Sequence, residues 1–136
     1  MSYGMAAALQ SAVFQHLEAD AALTGLVGTA IYDAAPGGSL PGTYVVIGPE
    51  EVRDRSDGLY AGAAHDFTVS VVTDAAGFHS VKMVASAISD ALVDAALTLS
   101  RGRLVGLRFQ RAKALRLANG SQRQVDLRFR ALVEDT

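Results

Sequence analysis

The stretch LRFQRAKALRLANGSQRQVDLRFRA, residues 107–131, holds seven arginines and lysines and a single acid, Asp126. It reads as two strands around an Asn119-Gly120 turn. Val125, Leu127, Phe129, Ala131 and Val133 alternate with Gln124, Asp126, Arg128 and Arg130, so the last strand has one apolar and one polar face. The preceding strand repeats this: Val105, Leu107, Phe109, Leu115 and Leu117 are odd-numbered, and Arg108, Gln110 and Arg116 are even-numbered. A two-residue Asn119-Gly120 loop would set Leu115 against Gln124. A three-residue loop, Ala118 to Gly120 with Gly120 left-handed, pairs odd with odd and so predicts Phe109 opposite Phe129 and Val105 opposite Val133. In that register Arg108 faces Arg130, with Arg128 diagonal to it. Opposed like charges are unfavourable, so the arginine face is either hydrated or covered by an acidic partner. Arg111 and Lys113 interrupt the odd face, which suggests that the hairpin tip extends beyond any helix.

Outward from the hairpin, charge is unevenly divided. Residues 1–100 hold eleven acids and three bases, net −8, while residues 101–136 hold nine bases and three acids, net +6; together they give the chain's −2. Opposite lobes on a nearly neutral chain favour association with copies of itself or with a charged partner. A pI near 5.8 argues against a dedicated nucleic-acid binder. Cys is absent, which excludes disulfides and thiolate metal sites and fits a reducing cytoplasm. No apolar run approaches the roughly 20 residues that span a bilayer, and the start MSYGMAAALQSAV lacks a signal peptide's basic region. The expectation is one cytosolic, unprocessed domain over residues 1–136.

Toward the N-terminus the pattern changes period. Leu9, Val13 and Leu17 predict a helix from about Tyr3 to Ala19, capped by Ser2, with Asp20 starting a shorter turn that Gly25 and Gly28 stop. DAAPGGSLPG, residues 33–42, is an irregular connection. TYVVIG, residues 43–48, reads as a strand. Residues 49–63 read as a long mobile loop or a protruding hairpin. Phe67, Val69 and Val71 alternate with Asp66, Thr68 and Ser70 in a half-buried strand. Ser80 then caps a helix striped by Val81, Val84, Ala85, Ile88, Ala91, Leu92 and Ala95. The sum is an α+β fold: an antiparallel sheet of about four strands with two main helices.

No catalytic constellation emerges. His16, His65 and His79 form no metal-binding spacing. Glu50-Glu51 are adjacent and point apart, which suits a solvated loop better than acid–base work. There is no G-x-S-x-G. PGGSLPG lacks the lysine of a phosphate loop, and GLYAG, residues 58–62, is no nucleotide fingerprint.

From Pro41 to Asp135 the order of features resembles the tail-completion, or tail-terminator, family of long-tailed bacteriophages, which has members in phage-derived gene transfer agents. The matching pieces are LPGTYVVIGPEE, then HDFTVSVVTDAAGFHSVKMVASAISDALVDAALTL, then RFQRAKALRLANGSQRQVDLRFRALVED. The most characteristic run is strand, D-x-x-G-x-x-x-V, and a helix ending A-L-V-D-A-A-L. The resemblance implies two helices on one face of an antiparallel sheet. It also implies a virion structural protein without cofactor or metal, assembled in the bacterial cytoplasm. Six subunits would form a ring on the last tail-tube ring, stopping tube growth and meeting the head connector or stopper, with DNA passing through. The alternatives are another neck protein, such as a connector, or a small ligand-binding α+β domain.

A ring needs two different complementary surfaces on each subunit. The expected pairing sets Arg108, Arg116, Arg128 and Arg130 against Glu50, Glu51, Asp54 and Asp57 of a neighbour. Reversing Arg128 and Arg130 to Glu is then expected to block assembly and spare the fold. The alternative is a lumen-facing role toward DNA. The 49–63 loop, with Arg53, Arg55, Leu59 and Tyr60, is the expected tube contact.

Overall fold

The computed structural model describes residues 3–34, 37–38, 40–56 and 61–135. Three helices and five strands follow in the order α1 (Ala6–Ala19), α2 (Ala21–Val27), β1 (Ile31–Tyr32), β2 (Thr43–Asp54), β3 (Gly62–Thr73), α3 (His79–Leu92), β4 (Arg103–Leu117) and β5 (Gln122–Glu134). The sheet order is β1-β2-β3-β5-β4. All pairings are antiparallel except β1 with β2.

The four-strand, two-helix expectation is therefore corrected. The extra strand is only two residues long, too short to show a period. It forms where Val45 donates its N–H to Ala30 and Ile31 lies beside Val45. The extra helix, α2, spans seven residues. Asp20 both ends α1 and caps α2, its carboxylate accepting the Leu23 N–H at 2.9 Å. Gly28, at φ 60°, closes α2 in a backbone region that glycine enters at least cost. The expected Ser2 cap lies outside the described residues, and α1 begins at Ala6 with no side-chain cap. Phe78, not Ser80, occupies the N-cap of α3.

One apolar cluster joins the layers. Leu9, Val13 and Leu17 of α1, Leu23 of α2, and Val81, Val84, Ile88 and Leu92 of α3 meet Val69, Val71, Leu127, Phe129 and Val133 of the sheet. A hydrogen bond between His16 Nε2 and the Ala91 carbonyl, 2.8 Å, also ties α1 to the end of α3. At 25 cal/mol per Å², a fully buried Leu or Phe contributes about 2 kcal/mol, so this cluster dominates the fold. Phe67, Phe129 and Phe109 form a row across β3, β5 and β4. The first pair is stacked at 5.7 Å, the second edge-on at 6.1 Å.

Residues 49–54 and 62–63 belong to paired strands, β2 and β3, and residues 57–60 lie outside the described residues. β2 runs through Pro49 to Asp54 by way of a bulge that sets two residues, Gly48 and Pro49, against Thr68. A bulge tolerates the missing proline N–H. The bulge also turns Glu50 and Val52 to the helix side, and Glu51 and Arg53 to the opposite side.

The basic hairpin has three registers. Near the tip Leu117 pairs with Gln122 and Leu115 with Gln124, the arrangement expected of the shorter turn. Ala118, Asn119 and Gly120 all have positive φ. Gln110 is then bulged out, and beyond it Phe109 pairs with Phe129 and Arg108 with Arg130, as expected. A second bulge at Val105 sets Leu104 against Val133, so Val105 does not face Val133. Val105 is instead exposed. The odd-to-odd expectation holds in the middle of the hairpin and fails at both ends, because each bulge shifts the pairing by one residue.

Candidate assembly surface

The bulge at Gln110 reassigns the basic side chains. On the tip side of it Arg111 pairs with Arg128 and Lys113 with Asp126, whereas Arg116 pairs with Arg123. Arg111 and Lys113 therefore share the polar, helix-free face with Arg108, Arg128 and Arg130. Arg116 lies on the helix side with Arg123, whose guanidinium stacks over Phe78 at 5.6 Å and donates to the Ala75 carbonyl. The expected four-arginine face is corrected accordingly: Arg116 leaves it, and Arg111 and Lys113 join it.

Two members of that face are already partnered within the chain. Asp66 of β3 lies directly opposite Arg130 of β5 and Glu51 of β2. Its side chain is 1% exposed. Arg130 binds it in a two-pronged fashion, Nε to Oδ1 at 2.7 Å and Nη2 to Oδ2 at 3.0 Å. Arg53 Nη2 and Arg128 Nη2 reach Oδ2 at 3.2 and 3.4 Å. Arg128 also lies 3.7 Å from the exposed Glu51 carboxylate. A buried carboxylate is tolerable only with such pairing. The Arg130 hydrogen bond holds the Asp66 carboxyl below the usual range, against the opposing effect of burial, with Arg130's charge and Arg128 adding to the depression. The same bond raises the Arg130 guanidinium.

Of the four acids expected as a neighbour's counter-charges, Glu50 and Asp54 are occupied within the chain. Glu50 points to the helix side, where it accepts from the Tyr3 hydroxyl at 2.7 Å and lies 3.1 Å from His65 Nδ1. This hydrogen bond, with the nearby charge, raises the Tyr3 hydroxyl's pKa. Because a carboxylate only accepts, His65 carries its proton on Nδ1, which leaves the buried Nε2 without a partner among the described residues. The Tyr3 ring stacks on His65. Asp54 accepts from the Ser56 hydroxyl and backbone N–H, which lowers its pKa. Glu51 is exposed, with only the 3.7 Å contact to Arg128 among the described residues. Asp57, Leu59 and Tyr60 lie outside the described residues.

Sequence reading missed Asp66 as the hub of this face. Its even position on β3 marked it as polar, but the pairing of β3 with β5 that brings Arg130 to it is a long-range fact. Four of the nine bases after residue 100 are neutralised locally: Arg128 and Arg130 by Asp66, Arg101 by Asp135 and Arg103 by Glu134. Arg108, Arg111, Lys113 and Arg116, all on β4, form no ion pair among the described residues. Every residue from Arg108 to Ala114 is exposed. Among the described residues this half of β4 is an uncommitted cationic surface. A polar basin beside it, about 550 Å³, is lined by Thr68, Ser70, Arg111, Lys113, Asp126 and Arg128. Asp126 there is held by Ser70 and Gln124, both at 2.6 Å.

Among the described residues no group of three or more His, Asp or Glu side chains is placed to hold a metal ion, and no helix is long and apolar enough to cross a membrane.

The family model described as tail completion protein gp17 matches residues 11–134. A chain in a solved structure of the virion of a native gene transfer agent particle is 62% identical, with a TM-score of 0.93; the match covers 98% of this chain and 99% of that one. No curated protein matches.

Proposed function

The chain belongs to the tail completion protein gp17 family, the structural proteins of phage-like tails, and from that premise we propose that it acts as a tail terminator. In this reading six copies close into a ring on the last ring of the tail tube, end tube growth and present a surface to the head connector. DNA passes through the centre. The role is non-catalytic, and the whole chain acts as one domain. The observation that carries the reading is the 62% identity, over 98% of the chain, to a component of a gene transfer agent virion.

The charge distribution supports it. A closed ring built from one kind of subunit uses two unlike patches that complement each other. The uncommitted cations of β4 supply one patch, with Arg108, Arg111 and Lys113 on the polar face and Arg116 on the other. The net −8 of the first hundred residues supplies the opposite sign. Arg128 and Arg130 are not free to serve, because Asp66 holds them. For the tube contact, the segment between β2 and β3, with Arg55, is the proposed element, whereas Arg53 is engaged by Asp66.

Particles produced with and without the chain test this. Its loss is expected to yield tails of uncontrolled length that fail to join heads, and imaging of complete particles should find six copies at the top of the tube. Location in the connector, or at the distal tail tip, would overturn the assignment.

A further inference from the structure

We propose that neighbouring copies join by continuing the sheet, the outer edge of β4 in one subunit adding antiparallel to the outer edge of β2 in the next. This rests on the ring reading and specifies how the ring closes.

The sheet has two open edges, and each is closed only locally. β1 covers β2 at Val45 and Val46 alone; among the described residues nothing pairs with the outer side of β2 from Ile47 to Asp54. On the other side, the segment after α3 closes β4 at one point, where Asp94 donates its N–H to the Leu107 carbonyl at 3.0 Å. From Phe109 to Leu117 the outer side of β4 is likewise open among the described residues. Long open edges are a liability unless guarded or used. Here β4 carries two bulges and, besides the paired Arg103, four cations, which discourage pairing with arbitrary strands. A strand of opposite charge is the exception. The open stretch of β2 carries Glu50, Glu51 and Asp54 against Arg53 alone.

Direction and stagger agree with this. β2 and β5 run one way, β3 and β4 the other. A rotation about an axis inclined to the strands therefore brings β4 and the next β2 together antiparallel and slides one edge along the other. The two open stretches are not level across the sheet. The β4 stretch lies toward the Thr43–Thr73 end, the β2 stretch toward the Asp54–Ala63 end. A sheet that closes on itself requires such a stagger. On the shared polar face, Glu51 of one copy would then meet Arg111 and Lys113 of the next.

The chain has no cysteine, so introduced pairs report cleanly. Lys113→Cys combined in turn with Glu51→Cys and with Arg53→Cys, each expressed with the other tail components, should give a ladder of disulfide-linked multimers in purified, mildly oxidised particles. A disulfide needs Cα atoms within about 7 Å, and the single variants should give none. Rings that assemble normally but yield no ladder from either pair would overturn sheet continuation and leave the ring standing. A chain that enters particles as separate single copies would overturn the ring, and this inference with it. Should the paired variants fail to enter particles, amide exchange of the unaltered chain decides. Slowing of at least about tenfold on assembly at 47–54 and 109–117 is expected, and unchanged exchange at both would overturn the proposal.

Discussion

Asp66 and Arg130 stand directly opposite each other on β3 and β5, joined by two hydrogen bonds of 2.7 and 3.0 Å, with the carboxylate 1% exposed. This pair turns an apparently free arginine face into an internal fastening of three strands. Removing the carboxylate leaves three guanidinium groups crowded around a buried site. Asp66→Ala is expected to cost about 3 kcal/mol or more, the usual penalty for breaking a buried ion pair, read as a lower denaturant midpoint. A midpoint within experimental error of the parent would contradict the fastening.

Reversal of Arg128 and Arg130 to Glu follows the same physics. Read from the residues alone, this change stops assembly and spares the fold. With Asp66 between them it places new negative charges against a buried carboxylate, so the monomer itself is expected to unfold. Circular dichroism of the purified variant at neutral pH checks this; native-like spectra with a normal melting temperature would refute it.

Acid should weaken the same fastening. The folded carboxyl of Asp66 titrates below its unfolded value, which is about 3.9. Its stabilisation is therefore complete above that value and fades as pH falls through it toward the depressed folded value. Stability measured from pH 7 downward should lose less with acid in Asp66→Asn than in the parent. Identical pH profiles would show that Asp66 contributes nothing to acid lability.

Arg111 and Lys113 are predicted to behave in the opposite way to Arg128 and Arg130. Both are exposed and free of intramolecular ion pairs among the described residues. Arg111→Glu with Lys113→Glu should leave the melting temperature nearly unchanged, since surface changes away from specific contacts have small effects, yet reduce incorporation into particles at physiological salt. Arg116→Glu, on the helix side of β4, should reduce it less. Equal incorporation of the double variant and the parent would remove β4 from the assembly surface.

The phenylalanine row separates core from rim. Phe129 is fully buried between Phe67 and Phe109, whereas Phe109 is 45% exposed. Phe129→Ala should cost about 3–5 kcal/mol, and Phe109→Ala clearly less, near the 0.5–1.5 kcal/mol of an edge-on aromatic contact plus its partial burial. Chemical denaturation of both variants distinguishes them; equal losses would mean that β4 is as deeply packed as β5.

The elements legible in the residues alone are those with a long, unbroken period: the Leu9–Val13–Leu17 helix, the stripe from Val81, whose expected run to Ala95 stops at Leu92, the Phe67–Val71 strand and the odd apolar face of β5. Local alternation and helical spacing are properties of neighbouring residues, so they survive without a fold. The same sequence placed the positive charge in the final hairpin. Which of those charges are free depends on the folded sheet. A bulge at Gln110 moves Arg111 and Lys113 to one face and leaves Arg116 on the other, and the pairing of β3 with β5 gives Arg128 and Arg130 to Asp66, more than sixty residues away. A single inserted residue reverses every side chain beyond it, and a strand carries no mark of which distant strand will lie beside it. Register and long-range pairing therefore come from the packed sheet, where one cluster of buried apolar side chains selects the alignment that leaves least of itself in water.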